Sequence, residues 1–401
     1  MTIPQLREQF PQLSRTVYGK PLVYLDNAAT ALRPRSVIDC WSDISANNTA
    51  NLHRAVHHVA AQATEAYENA RTAVAGFINA RCSEEVIFTS GATHSLNLLA
   101  FSIGEAFVRE GDEIVVSEAE HHSNLVPWQM LCERKGASLR RLPVDDSGRL
   151  CIEVLPSLLS SRTRIVALAH ISNVLGLVNP IEEIASVCHA AGALLVVDGA
   201  QGIVHQNVDV QALGCDFYAF SGHKMYAAPG TGVLWGRREL LEQLPPMFGG
   251  GEMIESVSWE SSTWAPLPRK FEAGTQNISG TPTFVPAIEL MRAMPQQEDV
   301  KEYVYRTLTA EPGIRLFGTS GDLSLKAPVF SIAVQGAHHE DLALLLDKMG
   351  VAVRSGQMCA EPLMDRFGVT GLLRASFAPY NTMQEAEYFV SSLRKALKML
   401  R

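Results

Sequence analysis

The sequence predicts an α/β protein: a large unit built on a mostly parallel sheet, followed by a smaller α+β unit. Three observations predict it. Short β-rich runs alternate with longer helical patterns through the middle of the 401-residue chain, as successive βαβ units do. Those runs are almost continuously apolar, as strands covered on both faces are. After residue 285 the order changes to helix, strand, helix, strand, helix. Residues 23–285 are therefore read as the large unit and 286–401 as the small one. Residues 1–22 have no sheet partner in sequence and are expected to pack on the small unit.

In chain order, the expected strands of the large unit are Val86–Thr89, Glu113–Ser117, Ile165–His170, Leu194–Asp198, Phe217–Ser221 and Val233–Trp235. Helical patterns lie between them at Ser95–Arg109, Asn124–Lys135 and Ile181–Ala191. Pro245–Thr283 is rich in Gly, Pro, Ser and Trp and lacks periodicity. It reads as long irregular loops, and loops of that length are usually functional. The small unit begins with a helix near Pro286. A strand (Val329–Val334), a helix (His339–Met349), a strand (Val351–Arg354) and a helix from Met383 follow.

Composition narrows the function. With 47% hydrophobic and 19% charged residues, the chain is globular and not disordered. Its net charge is −8, and no Lys/Arg-rich block occurs, so no nucleic-acid partner is expected. The longest apolar stretch, around Ala193–Val197, is far too short to span a bilayer, and MTIPQLREQF has no signal-peptide core. The reading is a cytoplasmic protein without a membrane partner. Seven cysteines, an odd number with no two close together, argue neither a metal pair nor a disulfide framework.

Four sites fall at strand ends. Ser90-Gly91-Ala92-Thr93 joins a strand to a helix, where free backbone N–H groups suit a phosphate; an ordinary βα turn looks the same. His121 and His122 follow the strand ending at Ser117, either as caps or as imidazoles at the ligand-binding edge of an open sheet. Asp198 ends an apolar strand, where a carboxylate is costly unless paired; it is either a turn cap or the partner of a cation such as a protonated pyridine nitrogen. Lys224 comes directly after a buried strand, in Ser221-Gly222-His223-Lys224. It is either a surface lysine or a desolvated one able to form a Schiff base. Together, and in this order, the four are the parts that pyridoxal phosphate requires.

With those residues in view, the whole chain resembles the fold-type-I pyridoxal phosphate enzymes of aminotransferase class V. Within them it looks like the Suf-type (group II) cysteine desulfurases and selenocysteine lyases. The matching segments are YLDNAAT (Tyr24–Thr30), His53-Arg54, the SGATHS turn at Ser90–Ser95, and EHHSNLVPWQ (Glu120–Gln129). HISNVLG (His170–Gly176), VDGAQG (Val197–Gly202), DFYAFSGHK (Asp216–Lys224) and FEAGTQN (Phe271–Asn277) continue the series. VRSGQMCAEPLM (Val353–Met364) and RASFAPYNT (Arg374–Thr382) complete it.

The resemblance implies a cysteine desulfurase with pyridoxal 5'-phosphate as cofactor; a selenocysteine lyase or cysteine sulfinate desulfinase is the alternative. Lys224 is implied as the lysine bonded to the cofactor aldehyde. His121 stacks on its ring, Asp198 pairs with the ring nitrogen, and Asn173 and Gln201 bond its phenolic oxygen. Ala92, Thr93, Ser221 and His223 hold its phosphate, joined by Thr275 from the other subunit of a homodimer. Arg374 is implied as the clamp on the substrate carboxylate, with Asn27, Ala28, His53 and Arg354 at the substrate end. Cys359 is implied as the nucleophile that takes sulfur from L-cysteine, with selenocysteine as the alternative substrate, and passes the sulfur to an acceptor of the SufE type for iron–sulfur cluster assembly. Its surroundings agree: Arg354–Ala360 is a short polar, glycine-containing loop, where a reactive thiol near positive charge can sit. Three departures from the family pattern stand out. The turn Tyr226–Gly232 has a shifted proline, Gln276 replaces a proline, and Ala92 and His94 stand where Thr and Glu are common.

Overall fold

A computed structural model of the chain describes residues 1–53, 56–295 and 298–400. Arg54, part of one matching segment, lies outside them. The large sheet has seven strands: β1 (Val86–Thr89), β2 (Glu113–Ser117), β3 (Ser138–Leu142), β4 (Thr163–Ala169), β5 (Leu194–Asp198), β6 (Phe217–Ser221) and β7 (Gly232–Gly236). Their order is β1-β7-β6-β5-β4-β2-β3. All neighbours are parallel except β7, which runs antiparallel to both β1 and β6.

Side chains alternate across this sheet, as strand geometry requires. Val166, Leu168, Leu195 and Val197 join one buried cluster, whereas Ile165, Ala167 and Val196 join the other. Both faces are therefore covered, which is why the strands read as continuous apolar runs. β3 escaped the sequence reading because Ser-Leu-Arg-Arg-Leu is an edge strand, paired on one side alone and partly exposed.

The second sheet has four antiparallel strands: β8 (Ile314–Phe317), β9 (Val329–Val334), β10 (Arg354–Gly356) and β11 (Leu372–Ser376), in the order β8-β9-β11-β10. The single strand expected at Val351–Arg354 is divided. Val351–Ala352 pairs in parallel with Val23–Tyr24, and only Arg354 onward joins the sheet. A separate cluster including Val304, Phe330, Leu346, Phe389 and Leu393 forms its core. The leading segment touches both units. Leu6, Phe10 and Leu13 enter the first cluster, the Phe10 ring lies 4.5 Å from that of Tyr380, and Arg7 pairs with Glu385 at 2.9 Å.

The stretch expected to be all loop contains an exposed hairpin, Ile254–Val257 with Ser262–Trp264. Later in the same stretch, Glu272 is buried. That buried carboxylate accepts from Arg71 Nη1 and Nη2 at 2.7 and 2.9 Å, from the Phe88 N–H at 2.7 Å and from Tyr67 OH at 3.2 Å. Removing one partner strands the other's charge, so Glu272→Ala is expected to cost about 3–5 kcal/mol, read by urea unfolding at neutral pH. No helix among the described residues is long and apolar enough to cross a membrane.

Candidate active site

Parallel strands deliver their last residues to one edge, and the loops leaving β2, β5 and β6 meet the small sheet there, around a cleft of about 220 Å³. One wall is the turn after β1. The helix Ala92–Phe107 starts three residues earlier than the sequence pattern predicts, so its first free N–H groups belong to the turn itself. Ala92 N–H donates to Ser221 Oγ at 2.8 Å, and Thr93 Oγ1 lies 2.7 Å from Ser123 Oγ. The Ser221 hydroxyl proton is left to donate elsewhere. Next to the turn, Gly232 of β7 runs so close that a Cβ there would lie 2.3 Å from Gly91 Cα, which excludes any side chain. His223 Nδ1 is 3.1 Å from Thr30 Oγ1.

The floor carries opposite charges. Asp198 is buried at the end of β5 and accepts the Ala200 N–H at 2.9 Å. Burial raises its pKa, against the pull of Lys224. Lys224 ends the 3-10 turn after β6; burial lowers its pKa, opposed by Asp198, with Arg374 lowering it further. A lysine so placed gives up its proton more readily than one in water. His121 follows β2 and is pushed down to about 4 by burial, with Lys224 the next cause, so its ring is neutral at pH 7. Its Nδ1 accepts the Ser123 N–H at 3.1 Å, which puts the ring proton on Nε2.

The third wall comes from the small sheet. Arg374 on β11 is buried; its Nη1 donates to Asn173 O at 2.9 Å and its Nη2 meets Asp26 Oδ1 at 3.1 Å. Its Nε has no partner among the described residues, a donor held for an anion. Arg354 reaches the other oxygen of Asp26 at 3.6 Å. Cys359 is the one exposed cysteine of the seven. Met358 and Cys359 both hold left-handed backbone, at φ 55° and 56°. Side-chain-bearing residues rarely adopt that conformation, at about 1–3 kcal/mol each. Asn173 Nδ2 donates to Met358 O at 2.9 Å and the His122 N–H to Cys359 O at 2.7 Å, and these bonds hold the strained loop over the cleft.

Of the residues singled out in the sequence, the cleft is lined by Ala28, Ala92, Thr93, His121, Asn173 and Asp198, and equally by Ser221, His223, Lys224, Arg354, Cys359 and Arg374. Asn27 and Gln201 are not in it. They lie behind Lys224, where Gln201 Nε2 donates to Ala28 O at 2.7 Å and Asn27 bonds Tyr380 and Ser376. His53 and Thr275 also lie outside the cleft. The His53 N–H donates to Thr64 Oγ1 at 3.0 Å, and Thr275 borders a separate cavity with Ser90, His94 and Phe248.

Two residues escaped the sequence reading. Asp26 pairs with both cleft arginines, and its only signal was its place in Tyr24–Thr30. Glu120, beside His121, is fully buried and accepts from Ser117 Oγ (2.5 Å), Asn124 Nδ2 (2.6 Å) and the Ala169 N–H (3.1 Å). It ties β2, β4 and the following helix together, and burial pushes its pKa up to about 7.

Buried histidines make a pH prediction. His170, with Nδ1 2.9 Å from Tyr218 OH, is pushed by burial from 6.5 to about 4. Its folded-state pKa is depressed, so the unfolded chain binds the proton first. The stability it contributes is complete above about 6.5 and is lost as pH falls towards about 4. Urea unfolding across that window is expected to show stability falling with acidity, and less steeply in His170→Asn.

The groups fit pyridoxal phosphate. A helix N-terminus with a free hydroxyl suits its phosphate, the buried Asp198 suits a protonated ring nitrogen, the desolvated Lys224 suits its aldehyde, and Arg374 Nε awaits a carboxylate.

Comparison with known proteins agrees. The aminotransferase class-V family matches residues 23–389. A Vibrio cholerae protein named "Probable cysteine desulfurase" is 46% identical over 406 residues, covering 100% of both chains. The crystal structure of the cysteine desulfurase CsdA (S-sulfonic acid) from Escherichia coli superposes with a TM-score of 0.91, at 39% identity over 100% of both chains. The apo structure of a cysteine desulfurase from Thermococcus onnurineus NA1 gives 0.93 at 36% identity, over 100% of this chain and 99% of that one. The chain thus belongs to the aminotransferase class-V family, within its cysteine desulfurases.

Proposed function

We propose that the protein is a pyridoxal phosphate-dependent cysteine desulfurase that converts L-cysteine to L-alanine and leaves the sulfur as a persulfide on Cys359. The observation that carries this is the exposed Cys359 on a strained loop facing the same cleft as Lys224 and Arg374. Bound pyridoxal phosphate supplies an electron sink in conjugation with the substrate α-carbon.

The chain's own groups do the rest. The Ala92–Thr93 turn, Ser221 and His223 would hold the phosphate, Asp198 the ring nitrogen, and Asn173 the phenolic oxygen. Arg374, kept in place by Asp26, binds the substrate carboxylate, with Arg354 and Ala28 at that end. Lys224 Nζ takes the α-proton, for which its lowered pKa suits it. Neutral His121, with its proton on Nε2, would stack on the ring and could donate from that atom. Cys359 Sγ bonds to the substrate sulfur as the Cβ–S bond breaks. That bond's electron pair stays with carbon, which gains a proton. The test is incubation with L-cysteine with and without reductant, measuring alanine and sulfide together. Alanine without sulfide until reductant is added supports the persulfide, and no alanine overturns the reading.

Residues 23–285 and 286–401 act as two lobes, with 1–22 bridging them. The protein is a homodimer in which Thr275 completes the partner's phosphate site. Supporting this, Thr275 is exposed and lies outside its own cleft, next to a hairpin that exposes Val257, Trp259 and Trp264. Light scattering is expected to give twice the chain mass, and a fully active monomer would exclude composite sites. An acceptor protein of the SufE type receives the sulfur for iron–sulfur cluster assembly. Seven unpaired cysteines support a reducing, cytoplasmic setting.

A further inference from the structure

A second and larger cavity, of about 620 Å³, lies where the two units meet. It falls within the size range of small-molecule sites, and such sites favour domain junctions. Its lining has two characters. Phe77, Met291, Met294 and Phe377 give it an apolar floor. Its basic side chains among the described residues are Arg292, Lys301 and Lys326, against the one carboxylate of Glu298; Lys326 is buried, donates to Leu175 O and is lowered by burial to about 7, so Arg292 and Lys301 carry most of the positive charge. That is an excess of positive charge in a chain of net charge −8. Glu298 already pairs with Lys301 at 2.5 Å. The Arg292 guanidinium lies 5.9 Å from the Phe77 ring centre and has no carboxylate partner among the described residues. Arg292 is exposed, and a guanidinium beside an aromatic ring suits a carboxylate on an apolar body.

This cavity backs onto the catalytic lysine. Val204, His205, Tyr226, Phe377 and Ala378 line both it and a much smaller pocket of about 10 Å³, which Lys224 also lines. That space holds one water at most. Tyr226, two residues after Lys224, is buried and held at φ 72°, left-handed backbone that a bulky residue rarely adopts. Such strain persists only where the surroundings enforce it, so pressure on the Tyr226 ring from the rear cavity acts directly on the turn that carries Lys224. His205 stands between two cations: burial, then Lys301, then Lys224 push its pKa down to about 4.

We propose that the rear cavity is a regulatory site for a small organic anion, a carboxylate on a short alkyl or aryl body, whose occupancy is relayed to Lys224 through Tyr226 and His205. The carboxylate pairs with Arg292 and Lys301. The apolar body lies on Phe77, Met291, Met294 and Phe377. No group in this cavity takes part in the sulfur transfer, so binding there is separable from turnover.

The test uses octanoate as probe and the holoenzyme as it exists. Calorimetry is expected to show one site per chain that saturating L-alanine does not displace. Arg292→Ala is expected to weaken binding at least tenfold, and Met294→Trp, which fills the cavity, to remove it. The cofactor's visible band is expected to shift on octanoate addition in the wild type and to stay fixed in both variants. If Met294→Trp does not fold, Arg292→Ala carries the test alone. Equal affinity in wild type and Arg292→Ala, displacement by L-alanine, no binding, or binding with an unmoved band would each overturn the proposal.

Discussion

Lys224→Ala is expected to abolish the visible absorbance of covalently held pyridoxal phosphate and to lower alanine formation from L-cysteine by more than about a thousandfold. The size of the loss follows from the surroundings. Lys224 is partly buried at the end of the 3-10 turn after β6, with burial holding its pKa below the usual lysine range and Asp198 as the opposing charge. Among the described residues no other amine lines the cleft, whose remaining basic groups are His121, His223, Arg354 and Arg374. The two histidines are pushed down to about 4, which makes them weak bases. The arginines stay protonated. Deleting the lysine therefore removes both the covalent anchor and the only strong base that the described residues bring to the cleft. Removing this cation also leaves Asp198 without its counter-charge, so the variant's cofactor content is to be measured beside its rate. Appreciable alanine release at full cofactor occupancy would assign the base to another residue.

How much of this was legible in the sequence follows from chain geometry. Asp198, His121 and Lys224 each come at or just after an apolar run. A run covered on both faces of a parallel sheet has its carboxyl end at the ligand edge, so local pattern alone sufficed to bring these three together. The pairing of β7 was not legible, because antiparallel insertion between β1 and β6 leaves no trace in a five-residue apolar run. The work of Asp26 was also hidden. It holds Arg354 and Arg374, more than three hundred residues away, and only the folded contact reveals it. Asn27 and Gln201 show the opposite limit. Both belong to matching segments, yet backbone direction sends them behind Lys224 into hydrogen bonds with the chain itself. The altered turn Tyr226–Gly232 is closed by side chains: the Thr231 hydroxyl donates to Ala228 O at 2.6 Å, and Thr283 Oγ1 accepts the Ala228 N–H at 3.0 Å. The second of these bonds ties the turn to the start of the helix Phe284–Ala293.

Cys359→Ala is expected to separate sulfur capture from everything before it. Binding of the cofactor and of the substrate carboxylate depends on Lys224, Asp198, His121 and Arg374, none of which the thiol supports: the hydrogen bond of residue 359 runs from the His122 N–H to its backbone carbonyl. An alanine keeps that bond, so the loop retains its anchor. Left-handed backbone at φ 56° is strained for cysteine and alanine alike, so the substitution adds no new strain. L-Cysteine should still bind and still change the cofactor spectrum. Alanine formation from it should fall by about a hundredfold or more, because a thiolate leaves carbon poorly without a nucleophile to take its sulfur. Selenocysteine, with a weaker carbon–selenium bond, and cysteine sulfinate, whose sulfur departs as a sulfite-level species, depend less on that attack and should lose only a few-fold. The measurement is alanine production on all three substrates, wild type against variant, at equal cofactor occupancy. A uniform loss on all three would mean that Cys359 supports the loop and not the chemistry. Full activity of the variant on L-cysteine would place the nucleophile elsewhere, although the other six cysteines are all at least partly buried and none lines the cleft.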